Sequence, residues 1–373
     1  MAVYKIFPEK DTFIFSKEPT NNAGKDEIVE INSYNDRSDQ RQSSRILVKF
    51  NQQQIEDLIS NTIDSNDYKA TIEYYLAETF GVPTEFSIEA YPLYISGSTE
   101  WDNGVGKFGD RPSNTSGVSW KYIEANQTNP WENTFTPSDI TGSYPQDNPG
   151  GGAWYTSLQG QNLDFEQQFA LNQHLDLSID VTKAIENFSN NNLENKGFII
   201  KLQDQFENSE HNDIKLNYFG IDTNTIYPPS LTFRWDDSSY QTGSLETLET
   251  SIATVDIANN KGTYVDEGKQ RFRITARPTY PERRFTTSSV YLEQYALPEQ
   301  SCWGLRDENT EEMVIPFDTE YTKISCDSHG PFFDVYMDGL QPERFYRILI
   351  QTELDHSTTV INNQNVFKVV RNG

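Results

Sequence analysis

The chain has 373 residues, with 56 Asp and Glu against 30 Lys and Arg, a formal net charge of −26, and 13% aromatic residues. So acidic a polymer is repelled by nucleic-acid phosphates, which argues against direct DNA or RNA binding, and no apolar run approaches the roughly 18–20 residues of a transmembrane helix, which argues against a membrane-spanning role. The first residues, MAVYKIFPEKD, lack the apolar stretch of a secretory leader, so Cys302 and Cys326 are expected to be reduced. His174, His211, His329 and His356 are scattered with no CxxC near them, and no metal or cofactor is expected.

In chain order, alternating runs at 3–7 and 11–15, separated by Pro8, read as strands, followed by a loop at 18–25 and a strand at 27–31. The polar stretch 32–43 reads as a loop and 45–50 as a strand. Ile55, Leu58, Ile59 and Ile63 recur at helical spacing, which predicts a short helix over 51–63. Tyr and Thr dominate 68–78 and Pro83 soon ends the run, which favours a strand. Another strand spans 84–95, with Pro92 at a bulge or edge.

Residues 96–160 read as a long irregular insertion, rich in glycine and carrying Trp101, Trp120, Trp131 and Trp154. A loop of this length in a compact domain is commonly functional or an interface. The tryptophans either pin it to the underlying sheets or form a platform for carbohydrate or a partner. Gly104-Val105-Gly106-Lys107-Phe108-Gly109 fits a loose GxGxxG but does not lie between a strand and a helix, so it is not read as a nucleotide site. Asp102, Asp110 and Glu132 lie near the tryptophans. A solvated acidic loop and a pair of acids for glycoside hydrolysis are the two readings of them.

A strand at 175–180 leads into helical turns at 181–188, with Asp180 as N-cap. The stretch 197–236 supplies three more strands: the apolar Gly197-Phe198-Ile199-Ile200, the alternating 214–219, and 231–235 after Pro228-Pro229. Asp236-Asp237 and Asp204-Gln205-Phe206-Glu207 are the acid pairs considered for Ca²⁺, and neither matches an EF-hand loop. Composition turns to Ser, Gly, Thr and Glu over 237–250, which marks a domain boundary. Beyond it, strands are predicted at 252–257, 270–277, 290–295, 302–305, 332–337, 346–352 and 366–370, a count that suggests an immunoglobulin-like sandwich. The expected fold is therefore all-β: two antiparallel β-sandwich domains, 1–237 with the insertion 96–160 and short helices, and 245–373. Arg271, Arg273, Arg283 and Arg284, with Arg277, form a basic run that is either a solvated strand face and turn or a contact for an acidic neighbouring subunit.

Several pieces, in order, resemble the DNRLRE-type β-sandwich family over residues 5–50 and 98–236. Asp11-Thr12-Phe13-Ile14 resembles its opening strand, and Asn22-Ala23-Gly24-Lys25-Asp26 before Ile28-Val29-Glu30-Ile31 its NxGxD turn and strand. Arg45-Ile46-Leu47-Val48-Lys49-Phe50 resembles its R-x-L-L-K-F strand and Gly117-Val118-Ser119-Trp120 its G-V-T-W element. Asp180-Val181-Thr182 and Asn195-Lys196-Gly197-Phe198 resemble its D-V-T and N-x-G-F motifs, and Asp222-Thr223 through Pro229-Ser230-Leu231 its closing strand. Independently of the family, Arg45 at a strand start is expected to pair with an acidic loop residue, and Gly117 and Gly197 to permit tight turns. In the second domain, Gly339 to Tyr346 is similar to the loop of fibronectin type III domains whose Tyr hydroxyl ties back to the backbone. The resemblance implies a non-catalytic module. With the appended Ig-like domain it implies a structural protein of a tailed-phage virion (neck or collar, tail, or capsid surface) assembled in the host cytoplasm. Its expected partners are further copies and other virion proteins. The alternative is a carbohydrate-binding module mediating glycan attachment.

Overall fold

The computed structural model describes residues 2–63, 67–125, 128–131, 140–142, 150–209, 213–282, 285 and 289–372. The fold is all-β with mainly antiparallel sheets. The chain divides into two compact units: an N-terminal one of Ile6–Thr62 and Lys69–Thr232, and a C-terminal one of Met1–Lys5, Ile63–Tyr68 and Phe233–Gly373. The chain's first strand, β1 (Ala2–Ile6), falls almost wholly within the second of these.

The N-terminal unit contains β2 (Lys10–Phe15), β3 (Ile28–Asn35), β4 (Arg41–Lys49), α1 (Gln52–Asn61), β5 (Tyr68–Tyr74), β6 (Leu76–Phe80) and β7 (Phe86–Pro92). Four short strands follow: β8 (Ile140–Gly142), β9 (Ala153–Tyr155), β10 (Ser157–Leu158) and β11 (Gln161–Asn162). Then come β12 (Phe165–Phe169), β13 (Leu177–Asp180), α2 (Thr182–Ser189), β14 (Phe198–Leu202), α3 (Asp204–Glu207), β15 (Ile214–Phe219) and β16 (Ser230–Trp235), the last of which runs on past the unit's end at Thr232. The large sheet has the order β12-β7-β14-β4-β3-β15-β6, with β2 also on β4, while β16, β5 and β13 lie side by side in another.

β14 is buried at every position because both its faces are covered, which is why its sequence is apolar at every position but Lys201 rather than an alternation. Phe198 meets Phe188 of α2 edge-on at 5.5 Å, while Ile199 points into the tryptophan cluster. α1 starts where Asn51 accepts a hydrogen bond from the Gln54 N–H at 3.1 Å, and it buries Ile55 and Leu58. At α2 the cap position is Val181, one residue after the expected Asp180. The Asp180 carboxylate still accepts the Thr182 N–H at 3.1 Å and its hydroxyl at 2.7 Å.

Two expectations for this unit are corrected. Residues 32–43 are not a loop but the ends of β3 and β4, joined by a tight turn in which Asp36 accepts the N–H groups of Ser38 and Gln40. Polarity misled there because Ser33, Gln42, Ser43 and Ser44 are buried and hydrogen-bonded; Ser44, for example, accepts the Asn32 N–H at 2.9 Å. Residues 68–78 are two strands, β5 and the start of β6, rather than one.

The C-terminal unit contains β17 (Ala253–Ile257), β18 (Thr263–Val265), β19 (Lys269–Pro278), β20 (Cys302–Asp307), β21 (Met313–Ile315), β22 (Ser325–Asp327), β23 (Gly330–Tyr336), β24 (Arg344–Leu354), β25 (Ser357–Ile361) and β26 (Val366–Val370). Its sheets have the orders β17-β19-β23-β22 and β18-β26-β24-β20-β21, with β25 on β24. One apolar cluster draws on both, with Phe272 and Phe333 from the first stacked near Trp303 and Phe367 from the second. The Tyr346 hydroxyl donates to the Gln341 carbonyl at 2.9 Å, the backbone tie expected from the fibronectin-like loop. Cys302 and Cys326 are free and buried. The strand expected at 290–295 is instead an exposed 3₁₀ turn over Val290–Leu292, started by the Ser289 hydroxyl accepting the Tyr291 N–H. Tyr291 and Leu292 face outward there, so they carry no strand pattern.

Candidate functional site: a charged row beneath the tryptophan insertion

Register places Leu47 of β4, Ile199 of β14 and Tyr91 of β7 side by side across the large sheet. Two residues along, on the same face by the period-2 rule, stand Arg45, Lys201 and Glu89, with Lys201 and Glu89 register partners. An apolar row and a charged row thus lie next to each other, and the insertion covers both.

Trp101, Trp120, Trp131 and Trp154 meet in one buried cluster with Ile14, Leu47, Tyr91, Val118 and Ile199, and each is at most 3% exposed. Trp101 Nε1 donates to the Lys196 carbonyl and Trp131 Nε1 to the Ser119 carbonyl, both at 2.9 Å. Trp154 sits on β9, bridged to Leu93 just past β7. With these rings inside, none offers a face on which a sugar could stack.

The charged row is also enclosed. Arg45 donates from Nε and Nη2 to the two oxygens of Glu207, each at 2.7 Å, and from Nη1 to the Gly151 carbonyl at 2.6 Å. Its guanidinium lies 5.1 Å from the Trp120 ring and 5.2 Å from the Trp154 ring. Lys201, 1% exposed, reaches Asp204 at 2.7 Å, Glu89 at 3.4 Å and Glu207 at 3.8 Å. Glu89 also accepts the Tyr91 hydroxyl at 2.9 Å, and burial raises both its carboxyl and the Tyr91 phenol above their ordinary values. Arg45 thus has the acidic partner expected of it, Glu207, but in the short helix α3 rather than in a loop.

Backbone without Cβ atoms makes this closeness possible. Gly151 has φ +84°, and a Cβ there would lie 2.8 Å from the Trp120 ring. A second knot is built on Asn22, which is fully buried. Its amide donates to the carbonyls of Asn103 and Val118, and its oxygen accepts the N–H groups of Gly24 and Gly106. Gly104, at φ +80°, would place a Cβ 2.3 Å from that oxygen. The GxGxxG letters therefore serve to wrap the insertion around a side chain of the NxGxD turn.

The candidate acids hold turns rather than converge. Asp102 accepts the Gly104 N–H at 3.2 Å and Asp110 the Lys107 N–H at 2.9 Å; Glu132 and His211 lie outside the described residues. Asp204 and Glu207 bind Lys201 and Arg45, and Asp236 accepts the Ser238 N–H at 2.8 Å. Among the described residues no group of three His, Cys, Asp or Glu side chains is arranged to hold a metal. In the C-terminal unit, Arg271 pairs with Asp334 and Arg273 with Asp327, each through two hydrogen bonds of 2.7–2.9 Å. Arg283 and Arg284 lie outside the described residues.

Sequence reasoning missed Lys201, Glu89 and Asn22. The only signal for Lys201 was a lysine inside a run that is otherwise apolar, and Asn22 was legible only through the family turn. Neither a protein-family model nor a curated protein sequence matches this chain.

Proposed function

We propose that this protein is a non-enzymatic structural subunit of a tailed-phage particle, acting through protein–protein contacts in a multimeric assembly. The observation that carries the reading is the way the pieces resembling the DNRLRE-type family act on one another inside one unit. Asn22 of the NxGxD turn binds Val118 of the G-V-S-W piece, and Arg45 stacks on Trp120 of the same piece. The N-K-G-F piece supplies the carbonyl that Trp101 binds. Separate motifs that share one network support a single ancestral module better than unrelated matches would. The Tyr346 tie supports the fibronectin-like reading of the second domain.

The chemistry of the chain supports this reading as well. Among the described residues, the four tryptophans, Arg45, Arg271, Arg273 and the acids Asp102, Asp110, Asp204 and Glu207 are used in pairs and turns within the chain, which suits a rigid building block. A surface rich in carboxylates keeps such a block soluble before assembly. A glycan-binding role through the four tryptophans is not proposed, because their rings are internal. The test is immunogold labelling of purified particles with antibody to this chain. Label at a fixed place on the particle is expected; particles that carry none would remove the proposal.

A further inference from the structure

Any contact between copies of a chain with net charge −26 has to be made where negative charge does not dominate. β19 offers such a place. Its inward positions are Phe272, Ile274 and Ala276, while Lys269, Arg271, Arg273, Thr275 and Arg277 alternate outward along one face. Asp334 and Asp327 neutralise part of this stripe, and Asp256 stands opposite Thr275. Four cations against three carboxylates leave this strand face with a cation to spare, where the whole chain has 30 cations against 56 carboxylates.

The same face has the make-up of a protein contact. Phe332 is flanked by the guanidinium groups of Arg271 at 4.0 Å and Arg273 at 4.8 Å, and Arg277 lies 5.3 Å from the Tyr291 ring. Arginine and aromatic side chains of this kind dominate protein–protein hot spots. At the Arg277 end, the Thr279 N–H binds the Ile252 carbonyl, bringing Ile252 beside Tyr280. Ile252, Tyr280, Tyr291 and Leu292 are 61%, 80%, 57% and 82% exposed and add apolar surface at this end.

We propose that the outward face of β19, with Ile252, Tyr280, Tyr291 and Leu292 at its end, binds an acidic surface of a second copy of this chain, head to tail. Charge argues for the geometry. Two copies meeting through this same face would set arginine against arginine, whereas the cationic face of one copy against the acidic surface of the next is attractive. Such a heterologous contact generates a ring or an open array rather than a two-fold dimer. The inference rests on the assembly role proposed above and names the surface that would serve it.

The experiment is sedimentation velocity of the full chain up to about 100 μM, at low salt and at about 0.5 M salt, with Arg277→Glu, Leu292→Asp and the control Phe80→Asp on the N-terminal unit. Expected are oligomers larger than a dimer. Each of the first two substitutions and high salt should weaken them at least about tenfold, and the control should not. A monomer at every concentration, a two-fold dimer, oligomers indifferent to Arg277→Glu and Leu292→Asp, or equal loss in Phe80→Asp would overturn it. A monomeric chain still found in particles would end this inference and leave the proposed function standing; oligomers built through this face by a chain absent from particles would do the reverse.

Discussion

Burial pushes the Asp11 carboxyl up to about 7, with the nearby Asp222 charge adding to it, while the Ile221 N–H bound at 3.0 Å and Lys25 pull the other way. Glu30 is raised to about 7, again chiefly by burial. A carboxyl whose folded pKa exceeds its unfolded one binds its proton more tightly when folded, so ionising it costs stability. That cost is absent below about pH 4 and grows as pH rises towards 7. The melting temperature should therefore fall between pH 5 and pH 8, and Asp11→Asn should flatten the decline. An unchanged slope in Asp11→Asn would show that the buried carboxyl is not the cause. Arg45 carries a larger stake. Arg45→Met leaves Glu207 buried without its main partner and should cost about 3–5 kcal/mol by urea unfolding, and adding Glu207→Leu should recover part of the loss. A loss under about 1 kcal/mol would mean that the pair is not enclosed.

Among the elements, the insertion is the one whose status matters most. Trp120→Ala removes an indole packed against Arg45 and Gly151, and should cost about 3–5 kcal/mol. Hydrogen exchange should then rise first over 98–125, ahead of the sheets; protection that stays as in the unsubstituted chain would contradict this. In the C-terminal unit, Tyr346→Phe deletes only the hydroxyl that binds Gln341 and should cost about 1 kcal/mol, read from the denaturation midpoint at constant slope. Much at this scale was legible. The alternation of β15, the helical spacing of α1 and the turn glycines each state a local requirement that one sequence can display. The ends of β3 and β4 were not legible, because serines and a glutamine buried with hydrogen-bond partners look like loop residues. The Arg45–Lys201–Glu89 row was hidden for another reason. It depends on register between strands far apart in the chain, and of its three members Glu89 stands in no telling local context.

For the whole molecule, the account is that residues with the look of chemistry build the fold, and that the chain acts by being assembled. Cryo-electron microscopy of intact particles of the tailed phage that the proposed function assigns to this chain tests that most directly. The account predicts repeated copies at one site on the particle, each with Trp101, Trp120, Trp131 and Trp154 packed inside its own N-terminal unit and its neighbours touching only outer faces. A map that lacks the chain, or one in which the insertion is lifted off β4, β7 and β14 so that these rings grip a bound ligand, would contradict it.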